Sequence, residues 1–168
     1  DSAIPDIAAD DPRVIRMRTF SKAYGLAGAR IGYALGAPDL IAGFDRIRNH
    51  FGVNRIAQAG ALAALADQGW LAHVVAEVAA ARDRIAAIGA ANGLTALPSA
   101  TNFVALDTHR DGAHARALIA ALADLGVFVR MPGTAPLDRC IRISAAPPNE
   151  LDVLADALPR ALAAIRPA

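Results

Sequence analysis

The sequence predicts an α/β protein, and three features of the chain support this prediction. Hydrophobic residues make up 55% of its 168 residues, with charged residues at 20%. No apolar run approaches the roughly 18 residues that a membrane span needs. Short segments of alternating apolar and polar residues are separated by longer segments with the helical period. We therefore expect a small sheet with helices on one side.

Two strands are predicted near the start of the chain, on either side of a glycine-rich loop. Apolar and charged residues alternate over 14–18, and a second strand is expected over 31–36. Apolar residues at helical spacing then predict a helix over 38–49, which begins with a proline suited to the first turn. Asn54 is placed to cap the next helix, over 55–66.

The rest of the chain alternates helices with short strands. A long amphipathic helix is predicted from Trp70 to about Asn92, where an asparagine-glycine pair would stop it. We expect this helix to connect two domains, residues 1–66 and residues 67–168. The remaining predicted elements are strands over 102–107, 127–130 and 140–144 and helices over 113–125 and 149–164.

Composition excludes several classes of function. A formal net charge of +1 and an aromatic content of 5% give no basis for nucleic-acid binding. The acidic N-terminus lacks the basic start and apolar core of a signal peptide, so we expect a cytoplasmic protein. The single cysteine, Cys140, excludes an internal disulfide and is expected to be a small buried strand residue. The four histidines show no metal-ligand spacing, and no metal is expected.

Lys22 is the only lysine of the chain, whereas the other sixteen basic residues are arginines. An arginine stays protonated, but a lysine can lose its proton and act as an amine nucleophile. Two hydroxyl residues, Thr19 and Ser21, and the planar donor fork of Arg30 lie close to it in sequence. Glycines at 25, 28 and 32 would allow positive φ angles and close backbone approach. This inventory suits a phosphate group held beside a reactive amine.

The segment from Arg18 to Tyr33, RTFSKAYGLAGARIGY, resembles the lysine motif of fold-type I pyridoxal-phosphate enzymes, the class I/II aminotransferases. The similarity is greatest to the histidinol-phosphate aminotransferase branch. This resemblance implies that Lys22 forms a Schiff base with pyridoxal 5'-phosphate and that Thr19, Ser21 and Arg30 hold the cofactor's phosphate. It also implies the C-terminal part of the large domain of that fold, over 1–66, followed by the small α/β domain.

By the same resemblance, the expected reaction is transfer of an amino group between an amino acid, or an amino-alcohol phosphate, and a 2-oxo acid. Lys22, once released by the substrate amine, would move the Cα proton as a general acid and base. Two alternatives stay open. The parent enzyme could be a decarboxylase or lyase of the same fold, or the chain could be a noncatalytic relative that docks on a complete homologue.

Three residues of the second half are candidates for substrate binding. Strand alternation over 140–144 places Arg142 on the face opposite the two isoleucines, where its guanidinium can meet a carboxylate. In the resembling family, an arginine in this context binds the acidic end of the substrate. Arg130 matches a second family arginine that faces the substrate, and Asn102 matches a further position near the site.

The chain also departs from the family pattern. Ala145-Ala146-Pro147-Pro148 replaces the usual glycine and threonine after Ser144, so we expect a different turn there. The family's upstream phosphate loop, ring-stacking aromatic and pyridinium aspartate have no convincing match, and Asp1 is not assigned that last role. We therefore expect a C-terminal half of a larger enzyme, homodimeric when complete, with little or no activity of its own.

Overall fold

The computed structural model describes residues 8–165 and divides the chain into two compact units, with the boundary between Val75 and Ala76. Asp1, which was not assigned the pyridinium role, lies outside the described residues. Each unit has its own sheet. The predicted domain boundary after residue 66 remains a prediction, because the division into units falls inside the long helix.

The first unit is built on an antiparallel strand pair. Strand β1 (Ile15–Thr19) pairs with β2 (Gly32–Gly36), with Ile15 opposite Gly36 and Thr19 opposite Gly32. Helices α1 (Pro38–Phe44) and α2 (Arg55–Ala66) follow. As predicted, the side chain of Asn54 caps α2 by accepting a hydrogen bond from the backbone N–H of Ala57, at 2.7 Å.

The predicted helix over 38–49 is too long. Helix α1 ends at Phe44, and the next residues form 3₁₀-type turns, with Ile47 N–H donating to the carbonyl of Phe44. Ile47 continues the apolar spacing in the sequence but is 82% exposed, so no packing extends the helix through it. Helix packing, more than propensity, decides where a short helix ends.

The long helix α3 (Gln68–Ala91) begins slightly earlier than predicted. The carboxylate of Asp67 accepts a hydrogen bond from the backbone N–H of Trp70 and so caps the first turn. The helix ends before Gly93, which has a φ of 76° and receives the chain in the left-handed conformation, as the asparagine-glycine pair predicted.

The second unit contains a three-stranded antiparallel sheet in the order β3–β4–β5. The strands are β3 (Thr95–Ala96), β4 (Phe103–Asp107) and β5 (Cys140–Ser144), with α4 (Gly112–Asp124) between β4 and β5 and α5 (Pro148–Ala164) after them. Short 3₁₀ helices occur at Ala27–Ala29 and Leu137–Arg139. The two-residue strand β3 and both 3₁₀ helices are additions to the prediction, because segments this short carry no readable period.

One face of this sheet forms the core of the second unit. Alternate residues of β4 and β5 are buried against apolar side chains of α3, α4 and α5, and they belong to one cluster that includes Val104, Leu106, Ile141, Ile143, Ile85, Leu118, Leu122, Leu154 and Leu158. Each fully buried side chain of this size contributes about 1.5–3 kcal/mol. The predicted arrangement of helices against one sheet face is therefore present, and the opposite face carries the polar residues.

The predicted strand over 127–130 is wrong except at its last residue. The backbone N–H of Val127 donates to the carbonyl of Leu122 and closes the end of α4, where Gly126 has a φ of 81°. Because the N–H of Val127 is bonded to the end of α4, the segment pairs with the sheet only at Arg130, through an isolated antiparallel bridge to Arg142.

An ion pair between a buried carboxylate and an exposed guanidinium lies at the end of the sheet distant from Ser144. Asp107 is 5% exposed and accepts hydrogen bonds from the guanidinium of Arg139 at 2.6 Å and from the backbone N–H of His109 at 2.9 Å. Burial alone would raise the pKa of Asp107, but these hydrogen bonds outweigh it and hold the pKa below its ordinary value. Burial raises the pKa of the Cys140 thiol beside it, as expected for an unreactive core cysteine.

We expect Asp107→Asn to reduce the free energy of unfolding by about 1–3 kcal/mol at pH 7, because the charged acceptor is lost. Since the folded pKa of Asp107 is depressed, its contribution is present above about pH 4 and disappears as the pH falls through the folded value. Urea unfolding at pH 7 and at about pH 2 would measure this. Asp156→Asn is the matched control, an exposed carboxylate paired with Arg160 whose loss should cost under about 0.5 kcal/mol. A difference that persists unchanged in acid would contradict the prediction.

Candidate active site

The loop that carries Lys22 is closed by the strand pair on either side of it. Beyond the last paired residues, Thr19 and Gly32, the backbone N–H of Phe20 donates to the carbonyl of Ile31 at 3.3 Å. The register, continued by one more residue, places Arg30 opposite Ser21. Strand pairing thus brings a cation from one end of the loop toward the hydroxyls at the other end.

The two hydroxyl residues are joined to each other. The Thr19 hydroxyl donates to the Ser21 hydroxyl at 2.9 Å and accepts a hydrogen bond from the backbone N–H of Ser21 at 3.1 Å. Both side chains remain accessible, with Thr19 exposed and Ser21 half-buried. The small turn therefore presents the Ser21 hydroxyl as a donor to an anion, and the Thr19 hydroxyl can donate to an anion in place of its bond to Ser21.

Lys22 follows directly and has an exposed side chain. Its carbonyl accepts a hydrogen bond from the backbone N–H of Gly25 at 2.8 Å, and Leu26 N–H donates to the carbonyl of Phe20 at 2.9 Å. These bonds fold the segment into consecutive turns with Gly25 at a φ of 71°. The amine thus stands on a turn of defined shape while its own Nζ stays accessible to a ligand.

The buried side chain of Phe20 packs this turn against two tyrosines, and sequence reasoning missed this residue. Phe20 is 2% exposed, and its ring centroid lies 4.9 Å from that of Tyr24 and 5.6 Å from that of Tyr33. Tilted aromatic pairs at these separations are attractive beyond simple area burial. The signal in the sequence was the single apolar residue between two hydroxyl residues, which continues the strand alternation into the loop.

Arg30 adopts a left-handed backbone conformation with a φ of 52°, uncommon for a residue other than glycine. Its guanidinium Nη1 donates to the carbonyl of Ala27 at 2.7 Å, so one donor is used within the loop and the others remain available. Of the three glycines expected to allow positive φ and close backbone approach, Gly28 uses neither property, because its φ is not positive and a Cβ added to it would meet no atom within 4 Å. Gly32 is necessary, because a Cβ there would lie 2.6 Å from the carbonyl oxygen of Arg18.

The candidate substrate residues of the second unit lie on and beside the open face of its sheet. Arg130 and Arg142 exchange two backbone hydrogen bonds, of 3.1 and 2.6 Å, and are therefore directly opposite partners. Side chains of such a pair point to the same face. Arg130 is exposed and Arg142 half-buried, and within residues 8–165 no carboxylate forms an ion pair with either of them.

Asn102 lies at the edge of the same sheet, immediately before β4. Its carbonyl accepts a hydrogen bond from the backbone N–H of Ala145 at 2.9 Å, which continues the pairing of β4 with β5 by one residue. The Ala145-Ala146 sequence that departs from the family pattern is thus tied to Asn102 directly after the strand that carries Arg142. Sequence reasoning missed one further residue here, Phe103, whose ring centroid is 4.9 Å from Cζ of Arg142.

The side chains of the Lys22 loop, which are those of Thr19, Ser21, Lys22 and Arg30, are chemically suited to bind a phosphorylated aldehyde. Adjacent hydroxyls, a guanidinium with free donors and an exposed amine supply phosphate ligands and a nucleophile within one short loop. Within the described part of the chain, His, Cys, Asp and Glu form no group of three that could hold a metal ion. In that same part, no helix is long and apolar enough to cross a bilayer.

Comparisons with known proteins agree with this chemistry. The model of the aminotransferase class I and II family matches residues 2–158. A histidinol-phosphate aminotransferase from Gluconacetobacter diazotrophicus is 39% identical over 162 residues, which are 94% of this chain and 44% of that protein. An aromatic amino acid aminotransferase from Rhodococcus jostii is 42% identical over 84% of this chain and 37% of its own length.

A solved structure is similar in both sequence and fold. The histidinol-phosphate aminotransferase from Sinorhizobium meliloti, in complex with pyridoxal-5'-phosphate, has a TM-score of 0.89 and 57% identity, over 94% of this chain and 43% of that one. The chain thus spans less than half the length of these relatives. The family match and the level of identity establish that the chain belongs to the aminotransferase class I and II family.

Proposed function

We propose that the protein containing this chain is a pyridoxal-phosphate-dependent aminotransferase that moves an amino group between an amino acid, or an amino-alcohol phosphate, and a 2-oxo acid. The observation that carries the proposal is the accessible amine of Lys22 on a turn whose preceding hydroxyls, Thr19 and Ser21, are hydrogen-bonded to each other. The family is one of pyridoxal-phosphate enzymes, and the similar Sinorhizobium protein was solved with that cofactor.

In this proposal, the chain's own residues have distinct roles. Thr19, Ser21 and Arg30 would donate hydrogen bonds to the cofactor's phosphate, and Lys22 would attach to its aldehyde carbon through Nζ. When bound, the cofactor supplies an electron-accepting ring and an exchangeable carbonyl carbon. Once released by the substrate amine, Nζ of Lys22 would be a free amine that can take the proton from the substrate Cα and later give it back, as a general base and then a general acid.

Arg142 and Arg130 would bind the acidic end of the substrate. Two guanidinium groups on opposite partners of one bridge offer planar donor forks that fit either a carboxylate or a phosphate. Asn102, tied to Ala145 at the end of β5, would complete this part of the site. We further propose that the complete enzyme is a homodimer, as the family resemblance implies.

We expect one covalent cofactor adduct per chain, on Lys22, when the purified chain is mixed with pyridoxal phosphate and reduced with borohydride. Because Lys22 is the only lysine, peptide mass mapping separates this adduct from any on the α-amino group. Lys22→Arg keeps the charge but cannot form the bond, so its adduct should fall to background. Equal labelling of both proteins would exclude Lys22 as the cofactor lysine.

Adduct formation does not by itself define the reaction. The second step adds an amino acid and measures release of the cofactor from Lys22 and amino transfer to a supplied 2-oxo acid. Amino transfer that depends on the 2-oxo acid supports an aminotransferase, whereas carbon dioxide or ammonia release without it supports the decarboxylase or lyase alternative. We expect little turnover from this chain alone, and a fast amino transfer rate would overturn that expectation.

Thr19→Val and Ser21→Ala should each weaken pyridoxal phosphate binding by about tenfold, because each removes one hydrogen bond to a charged ligand. Pyridoxal, which lacks the phosphate, is the matched ligand control. If these hydroxyls bind the phosphate, pyridoxal should bind both variants as tightly as it binds the unmodified chain. Fluorescence titration gives the two dissociation constants, and equal losses for both ligands would refute the phosphate role.

Gly32→Ala should open the end of the β1–β2 pair, because the new Cβ would clash with the backbone of Arg18. We expect a loss of about 1–3 kcal/mol in unfolding free energy and a lower yield of the Lys22 adduct. Gly28→Ala is the matched control in the same loop, where a Cβ meets no atom within 4 Å. Chemical denaturation followed by circular dichroism checks both variants, and equal stability would argue against the close approach at Gly32.

A further inference from the structure

We infer that Phe103 is a positioning residue for Arg142, holding its guanidinium over the open sheet face for the acidic end of the substrate. The ring of Phe103 lies under Cζ of Arg142, at 4.9 Å from the ring centroid to that atom. This is within the distance of about 6 Å at which a guanidinium is attracted to an aromatic face. The inference rests on the proposed role of Arg142 in substrate binding.

The strand register explains why these two side chains meet. Arg142 is opposite Ala105, and Phe103 is the diagonal neighbour two residues away on β4. Diagonal neighbours on one face are within reach of long and aromatic side chains. The small side chain of Ala105 leaves the space between them open, while Val104 and Leu106 point to the core on the other face.

Arg142 needs such a contact because its other neighbour repels it. Arg130 is its direct partner on the opposite side of β5, and like charges on opposite partners disfavour each other. Within residues 8–165, the Arg142 guanidinium makes no side-chain hydrogen bond or ion pair, so the ring of Phe103 is its described attractive contact. A guanidinium held through its face keeps its N–H donors free for an oxyanion.

Phe103 is itself fixed by a hydroxyl network at the entry to β4. Its carbonyl accepts hydrogen bonds from the hydroxyls of Ser99 at 2.6 Å and Thr101 at 3.2 Å, and its N–H donates to the Thr101 hydroxyl at 3.3 Å. Arg82 donates to the carbonyl of Thr101 at 2.9 Å and ties this turn to α3. These hydrogen bonds restrain the backbone of Phe103, as is required of a residue that positions another side chain.

The test follows the Arg142 side chain by NMR while the full chain is titrated with 2-oxoglutarate. We expect a ring-current shift of the Arg142 signal that Phe103→Leu removes and Phe103→Tyr keeps. The dissociation constant should rise roughly twofold to fivefold in Phe103→Leu, the size of a partly exposed cation–π contact, and return in Phe103→Tyr. Phe128→Leu is the matched control, a phenylalanine of the same unit that is 84% exposed.

Unchanged binding in Phe103→Leu would overturn the inference, as would an equal loss in Phe103→Tyr, since that would indicate packing alone. An Arg142 signal that does not respond to 2-oxoglutarate in the unmodified chain would also overturn it. This readout does not involve Lys22 or the cofactor. A failure of the Lys22 adduct therefore leaves the anion titration interpretable, and the two proposals can fail separately.

Discussion

The pairing of Thr19 with Gly32 is the constraint on which the candidate cofactor loop depends. It closes the strand pair at the point where the chain leaves β1 and returns to β2, and so it fixes the distance between the Ser21 and Arg30 ends of the loop. The approach is so close that no side chain fits at Gly32. The buried ring of Phe20 then packs inside the turn, while the side chain of Lys22 stays exposed. The proposed cofactor lysine therefore lies on a turn whose shape is determined by backbone pairing and one aromatic side chain.

In the second unit, the two faces of the sheet carry different kinds of residue. Alternate residues of β4 and β5 form the core with three helices, and the intervening residues include Phe103 and Arg142. The apolar face supplies stability, and the other face carries the residues proposed to bind and position the substrate. The ion pair between buried Asp107 and exposed Arg139 lies at the opposite end of these strands from Ser144, so the charges that stabilise the sheet are separate from those proposed to bind substrate.

Much of this arrangement could be predicted from sequence, because strong periodicity and family resemblance both act locally. Strand β5, helix α2 and its Asn54 cap agree with the prediction, and the lysine motif identified the family. The predictions that were wrong are those in which contacts made by the folded chain override the local sequence pattern. Ile47 continued a helical pattern without a surface to pack on, and Val127 was drawn into the end of α4 instead of the sheet. Phe103 could not be found by inspection, because its diagonal contact depends on a register that only the folded sheet defines.

The end of helix α4 has a consequence for which positions near Arg130 tolerate substitution. Gly126 takes a left-handed conformation, and Val127 is bound to the helix carbonyl, so the path from α4 to Arg130 is set by two adjacent backbone requirements. Mutations at Gly126 would strain that path and displace an arginine four residues away. Phe128, on the same path but largely exposed, carries no such requirement. Substitutions in this segment should therefore be tolerated at Phe128 and disruptive at Gly126, because only Gly126 is required by the backbone path that leads to Arg130.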